Sequence, residues 1–200
     1  MCIHLHFDYQ KATQALVFFI EKEGGRLNKM KALKLIYFAD RYHLRKYGRP
    51  IMNDEYFAMA YGPVASGVKD IAELSDFLGE QEKAYATQCV TLAAAPYIEA
   101  RSPFDPNVFS KTDIEALEFA WKTFGQYTEF ELVELTHKYP EWKKHEQSLK
   151  IHSRVTMRLE DFLDDPVEPG IDPCFPLSPE EKQDTLAELQ ELAHIEALWN

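Results

Sequence analysis

The stretch from Asn28 to Gly48 constrains this chain more than any other. Met30, Leu33, Ile36, Tyr37 and Leu44 recur at helical spacing and share an inward face. Asn28 is a suitable N-cap, Gly48 a stop, and Arg49-Pro50 forces an extended or turning path afterwards. The spacing predicts a helix over about 28–46. Its neighbourhood, residues 26–50, also holds eight bases (Arg26, Lys29, Lys31, Lys34, Arg41, Arg45, Lys46, Arg49) and one acid, Asp40. Lys31, Lys34, Arg41 and Arg45 fall roughly on one side, and a solvated helix face is the commonest reason for such a run. A docking surface for an acidic protein, or for the chain's own acidic tail, comes next. A phosphate-tracking face is a weaker reading, because no helix-turn-helix, zinc-finger or stacking motif accompanies it.

Charge is distributed unevenly. The whole chain carries 22 Lys+Arg against 33 Asp+Glu, a net of −11, yet residues 155–200 alone hold 12 acids and two bases, a net of −10. Five prolines (Pro166, Pro169, Pro173, Pro176, Pro179) crowd residues 164–179, as in an irregular, partly stiff connector. Ser178-Pro179-Glu180-Glu181 then reads as a capping box opening a helix over 179–198, with Leu186, Leu189, Leu192 and Trp199 on one side. The division expected is a domain over 1–154 and an acidic tail over 155–200.

Other elements follow from periodicity. Residues 8–22 form a helix capped by Asp8 and stopped by Gly24-Gly25. Tyr56–Tyr61 is a short aromatic strand, with Pro63 opening a helix through Val64, Val68, Ile71 and Leu78. Gln88–Leu92 and Tyr97–Arg101 form a hairpin, and helices resume over 112–124, 129–138 (Phe130, Val133 and Leu135 inward) and 141–149. The fold class expected is mainly α (α+β): a compact helical domain with a few short antiparallel strands or a hairpin, plus a C-terminal amphipathic helix.

Sites with chemistry are scarce. Asp40 and His43 share a helix face with Ile36 and Tyr47, an arrangement that can serve a general base but more often ties packed elements together. His4 and His6 lie on one side of an extended segment, short of the three or four ligands zinc requires. Thr136-His137 and Tyr139-Pro140-Glu141-Trp142 form a helix-to-helix corner. Phosphate loops, nucleophile elbows and H-E-x-x-H are absent, so no cofactor, metal or enzymatic activity is expected. Cys2, Cys89 and Cys174 are odd in number and widely spaced, and no apolar run reaches bilayer length. The expectation is a soluble cytoplasmic protein.

Three stretches then combine: Lys31-Ala-Leu-Lys-Leu-Ile-Tyr-Phe-Ala-Asp40; His43-Leu44 with Tyr47-Gly-Arg-Pro-Ile51; and Phe57-Ala-Met-Ala-Tyr-Gly-Pro-Val64. In this order and spacing they resemble the Panacea domain, an antitoxin-associated family with SocA-like and phage-associated GepA-like members. Glu131-Leu-Val-Glu-Leu-Thr136-His137 followed by Trp142 resembles the family's C-terminal elements. Met59 departs from the pattern, standing where the family usually has tryptophan.

The resemblance implies an antitoxin of a bacterial or phage toxin–antitoxin module that binds a cognate toxin directly. The alternatives are an adaptor that delivers a toxin to a bacterial protease, or a DNA-binding regulator using residues 26–49. It supplies no catalytic residue. The motif reads structurally: Gly62 and Pro63 set a strand-to-helix turn, Leu33, Ile36 and Tyr37 are core, and Asp40 is a buried polar tie. Partner contacts are expected from Met59, Tyr61, Lys34, Arg41 and Arg45, and from a tail helix laying Leu186, Leu189 and Trp199 into a toxin groove. A homodimer is a further possibility; a membrane is not expected, and nucleic acid only under the regulator reading.

Overall fold

The computed structural model describes residues 5–199; Cys2, His4 and the Trp199 side chain lie outside what it describes. Among the described residues the chain forms eight α-helices and two three-stranded antiparallel sheets, a mainly α fold with a C-terminal helix.

Helix α2 (Lys29–Tyr47) is the axis of the molecule. Asn28 Oδ1 accepts from the Met30 N–H at its start, and Gly48 closes it in the left-handed conformation at φ 74°. It is buried not on one face but almost all round, from Lys31 to Arg45. Helix α1 (Tyr9–Lys22, capped by Asp8) covers one side, and α5 (Lys111–Phe124) and α6 (Glu129–Thr136) cover others. Offset stacking of Phe38 on Phe124, 3.8 Å between centroids, and of Tyr42 on Phe119, 4.1 Å, welds α2 to α5.

One sheet joins β1 (Arg26–Asn28), β5 (Tyr97–Ala100) and β4 (Val90–Leu92), in that order. Its β4–β5 pair is the expected hairpin, preceded by an unexpected helix α4 (Glu80–Cys89). The other sheet has the order β3 (Gly62–Ala65), β2 (Tyr56–Met59), β6 (Arg154–Thr156). Pro63 and Val64 therefore extend a strand rather than open a helix. Helix α3 starts only at Ser66, ends at Glu73 and does not reach Leu78. Pro63 is tolerated because β3 is an edge strand, where a missing N–H breaks no ladder. Gly62 and Pro63 thus make a strand-to-strand turn, not a strand-to-helix one. Gly67 makes room for the ring of Phe7.

The boundary expected after residue 154 falls inside β6, whose Thr156 and Val155 pair with Phe57 and Ala58. Past it, Phe162, Leu163 and Cys174 are buried in the same core. Charge and proline content mark turns and solvent, whereas a few apolar side chains decide what docks. The connector is strapped down by α2. The buried Arg45 guanidinium donates to the carbonyls of Phe162, Leu163, Asp164 and Phe175 and pairs with Asp165 at 2.5 Å. Arg41 donates to the Asp164 carbonyl and pairs with Glu141 of the short helix α7 (Pro140–Lys143).

These contacts correct the solvated-face reading and the assignment of Arg41 and Arg45 to a partner. Both are buried, held by the chain's own acidic segment and out of reach of a phosphate backbone. Of the same basic run, Arg26, Lys29, Lys46 and Arg49 stay partly exposed, each beside a carboxylate (Glu99, Glu73, Glu115 and Asp113).

Helix α8 (Pro179–Trp199) begins at the expected box: Glu181 Oε2 accepts from the Ser178 N–H and Ser178 Oγ from the Glu181 N–H. It packs back on its own domain. Leu189 is fully buried, Leu186 is packed against the core, and the Glu188 carboxylate lies over Gly48 at the end of α2. Leu186 and Leu189 therefore do not face a toxin, because burial against α2 has already used that stripe. Ile195 and Leu198 of the distal turns are its exposed large apolar side chains among the described residues. Among the described residues no helix is long and apolar enough to cross a membrane.

Candidate functional site

Asp40 and His43 do not form a dyad. Asp40 accepts from the Ile51 N–H at 2.7 Å and the Tyr56 hydroxyl at 2.9 Å, tying α2 to the loop behind it and to β2. Burial pushes its carboxyl up to about 6, against the pull of those donors. His43 donates from Nδ1 to the Arg49 carbonyl, while Nε2 meets Thr112 Oγ1 and Asp113. Burial by itself would raise Asp113, but hydrogen bonds from His43, Lys11 and the Ser110 N–H, with Arg49 alongside, hold it well below the usual carboxylate range. These are structural ties inside a closed core. Asp113 was missed in the sequence, and Glu141 was read only as part of the helix-to-helix corner; only tertiary packing shows that each is buried against basic partners.

The other motif residues meet elsewhere. Ala60 and Tyr61 cap the β2–β3 hairpin, with Met59 registered opposite Gly62. Gly62 sits at φ 92°, and a Cβ there would lie 2.5 Å from Thr136 Oγ1 and 3.0 Å from Lys34 Nζ. Glycine is required twice over: for the left-handed turn and for the approach of two side chains to the backbone. Lys34 donates to the Pro63 carbonyl at 2.7 Å. Trp142 Nε1 donates to the Met59 carbonyl at 2.9 Å, and the His137 ring stacks on Trp142 at 3.6 Å. Helix α2, the hairpin and the α6–α7 corner, quoted from three separate stretches of sequence, thus converge on one hairpin.

That hairpin forms one wall of a groove of about 600 Å³. Met30, Leu33, Met59 and Val64 make it apolar; Lys34 lies in its wall; Tyr61 and Phe130 stand at its edges, 62% and 61% exposed. The inward placement of Phe130 is corrected: α6 buries Leu132, Val133 and Thr136, which turns Phe130 out. Of the expected partner residues, Met59, Tyr61 and Lys34 line this groove.

Lys34 is the electrostatic anomaly. It is 1% exposed, and burial lowers its amine from 10.5 to about 7. The groove's own acids are engaged elsewhere: Glu73 by Lys29 and Lys69, and Glu129 by Asn28. An amine that keeps its proton to 10.5 in the unfolded chain but only to about 7 in the fold costs stability. That cost is full below pH 7 and is relieved as pH rises toward 10, by up to about 1.4 kcal/mol per pH unit. Lys34→Met should accordingly be more stable than the parent at pH 6, with the gap shrinking toward pH 10. Urea unfolding at both pH values measures it, and a gap independent of pH would contradict the charged, buried state.

The chain matches the family described as Antitoxin SocA-like, Panacea domain over residues 33–143, more than half of its 200 residues. It belongs to that family. The match begins in α2 and ends with α7, so it contains the hairpin and the α6–α7 corner but neither β6 nor α8. No curated protein and no solved structure matches the chain.

Proposed function

We propose that this Panacea-domain protein is a non-enzymatic antitoxin that neutralises a partner toxin by binding it directly at the hairpin groove. One observation carries the reading. A preformed apolar groove, lined mostly from the family-matched region with Met30 and Lys29 just before it, is flanked by two large aromatic side chains that the fold leaves outside its core. Monomeric folds rarely leave such patches without use, and exposed aromatics beside a pocket are the side chains that dominate binding energy. The strapping of Arg41, Arg45 and the proximal α8 onto the domain leaves the hairpin end as the better-formed surface.

Co-expression with the product of the adjacent open reading frame tests the proposal. Growth rescue by the parent chain, and its loss in Tyr61→Ala and Phe130→Ala with at least about tenfold weaker binding of the purified proteins, is the expected result. Full rescue by both variants would sink it. Sequestration also leaves the toxin's half-life unshortened; a shortened half-life would favour protease delivery instead.

A further inference from the structure

Lys34 has one hydrogen-bond acceptor, the Pro63 carbonyl, for an ammonium with three N–H groups. It lines an otherwise apolar groove whose own carboxylates are occupied by Lys29, Lys69 and Asn28. Behind it, the Nε2 of His137 is buried with no hydrogen-bond partner, and no carboxylate acts on the Lys34 amine itself. One feature keeps the amine at the groove wall despite its cost: Gly62, lacking a Cβ, leaves the space that the amine occupies beside the hairpin. A buried cation lacking a counter-ion in a preformed groove is complementary to an anion delivered with an apolar body.

We infer that the groove is specific for a partner segment carrying an aspartate or glutamate among apolar side chains, with that carboxylate docking on Lys34 while Tyr61 and Phe130 cover its flanks. This rests on the groove being the toxin site, and it names the chemistry that site selects. The chain's own acidic helix is not the occupant, since α8 is seated on the far end of α2 near Gly48. Desolvated charge pairs of this kind discriminate strongly, because a partner lacking the carboxylate leaves the ammonium buried and unpaired.

The full-length chain and the toxin it neutralises provide the test. Lys34→Met should weaken binding about tenfold or more while the variant stays folded. Replacing the toxin's exposed Asp and Glu residues singly by Asn and Gln should reveal one whose loss weakens the parent complex but adds nothing in the Lys34→Met background. The parent complex should take up about one proton at pH 8, read by calorimetry in two buffers of different ionisation enthalpy, as the amine regains its proton beside a carboxylate. Lys29, Lys69, Tyr61, Glu73, Glu129 and His137, with Glu134 and Glu146 beside His137, are the other titratable groups facing the groove or Lys34, and loss of the uptake in Lys34→Met assigns it.

If Tyr61→Ala and Phe130→Ala weaken binding but Lys34→Met does not, the groove reading stands and the carboxylate inference is overturned. If none of the three matters, both fall. Should Lys34→Met fail to fold, absence of proton uptake by the parent complex overturns the inference by itself. A dimer of the free chain that Tyr61→Ala dissociates would make a second copy the occupant, and would also overturn it.

Discussion

Arg41→Met is expected to lower the unfolding free energy by about 3–5 kcal/mol, the loss typical of leaving one member of a buried ion pair alone. Arg41 and Glu141 are both fully buried and paired with each other. The Tyr37 hydroxyl donates to Glu141 at 2.5 Å, and the Arg41 guanidinium lies 4.8 Å from the Tyr139 ring centroid. Burial alone would lower the arginine, but Glu141 keeps it charged; burial raises Glu141 in turn, and Arg41 opposes that. Without Arg41 the carboxylate loses its charged partner and keeps Tyr37 and a backbone N–H, and the Asp164 carbonyl that Arg41 also serves loses a donor. The double variant Arg41→Met, Glu141→Gln should recover a large part of the loss, since no full charge then remains in the core. Urea midpoints for both singles and the double decide it. A single-variant loss under about 1 kcal/mol would show that the pair is not desolvated as the structure has it.

Gly62→Ala is expected to cost about 2–4 kcal/mol, combining a left-handed backbone with a steric overlap. The new methyl group would meet Thr136 Oγ1 at 2.5 Å and Lys34 Nζ at 3.0 Å, so either the hairpin tip or α6 must shift. Both partners belong to the groove region, and toxin binding should fall by more than the loss of folded protein explains. Thr136→Ala removes the nearer obstacle and gives up only a bond to the Val133 carbonyl within its own helix. Placed in the Gly62→Ala background it should restore part of the stability, a coupling that two independent sites would not show. Thermal unfolding of the four-member cycle measures the effect, and strict additivity would contradict the contact.

Local signals carried much of this. Asp8, Asn28 and Ser178 each cap the helix that the spacing placed after them, and Gly48 ends α2 where expected. Capping and periodicity are short-range, so neighbouring residues suffice to read them. Four features escaped that reading. Helix α4 went unseen because its last two residues, Gln88 and Cys89, read as the start of the following strand. β3 looked like the first turn of a helix because Gly-Pro-Val suits either, and only an edge position beside β2 decides for the strand. β6 is three residues long and is defined by its pairing with β2 rather than by composition. Phe130 looked like core because apolar spacing on a two-turn helix permits either face.

What the sequence determined by itself is most of the helices, though not α4 or the short extent of α7, together with the family and the stretches that carry its motif, because capping, period and motif order are written in consecutive residues. What the tertiary structure decided is where the charges go. A basic face that looked solvated became the buried clamp on the acidic connector. An acidic helix that looked like a partner surface became a brace on α2, and one lysine of the same run was left alone in an apolar groove. The physical reason is that burial and pairing depend on contacts across a hundred residues or more, as between Arg41 and Glu141 or Arg45 and Asp165. No spacing rule along the chain encodes which of two like charges will find a carboxylate.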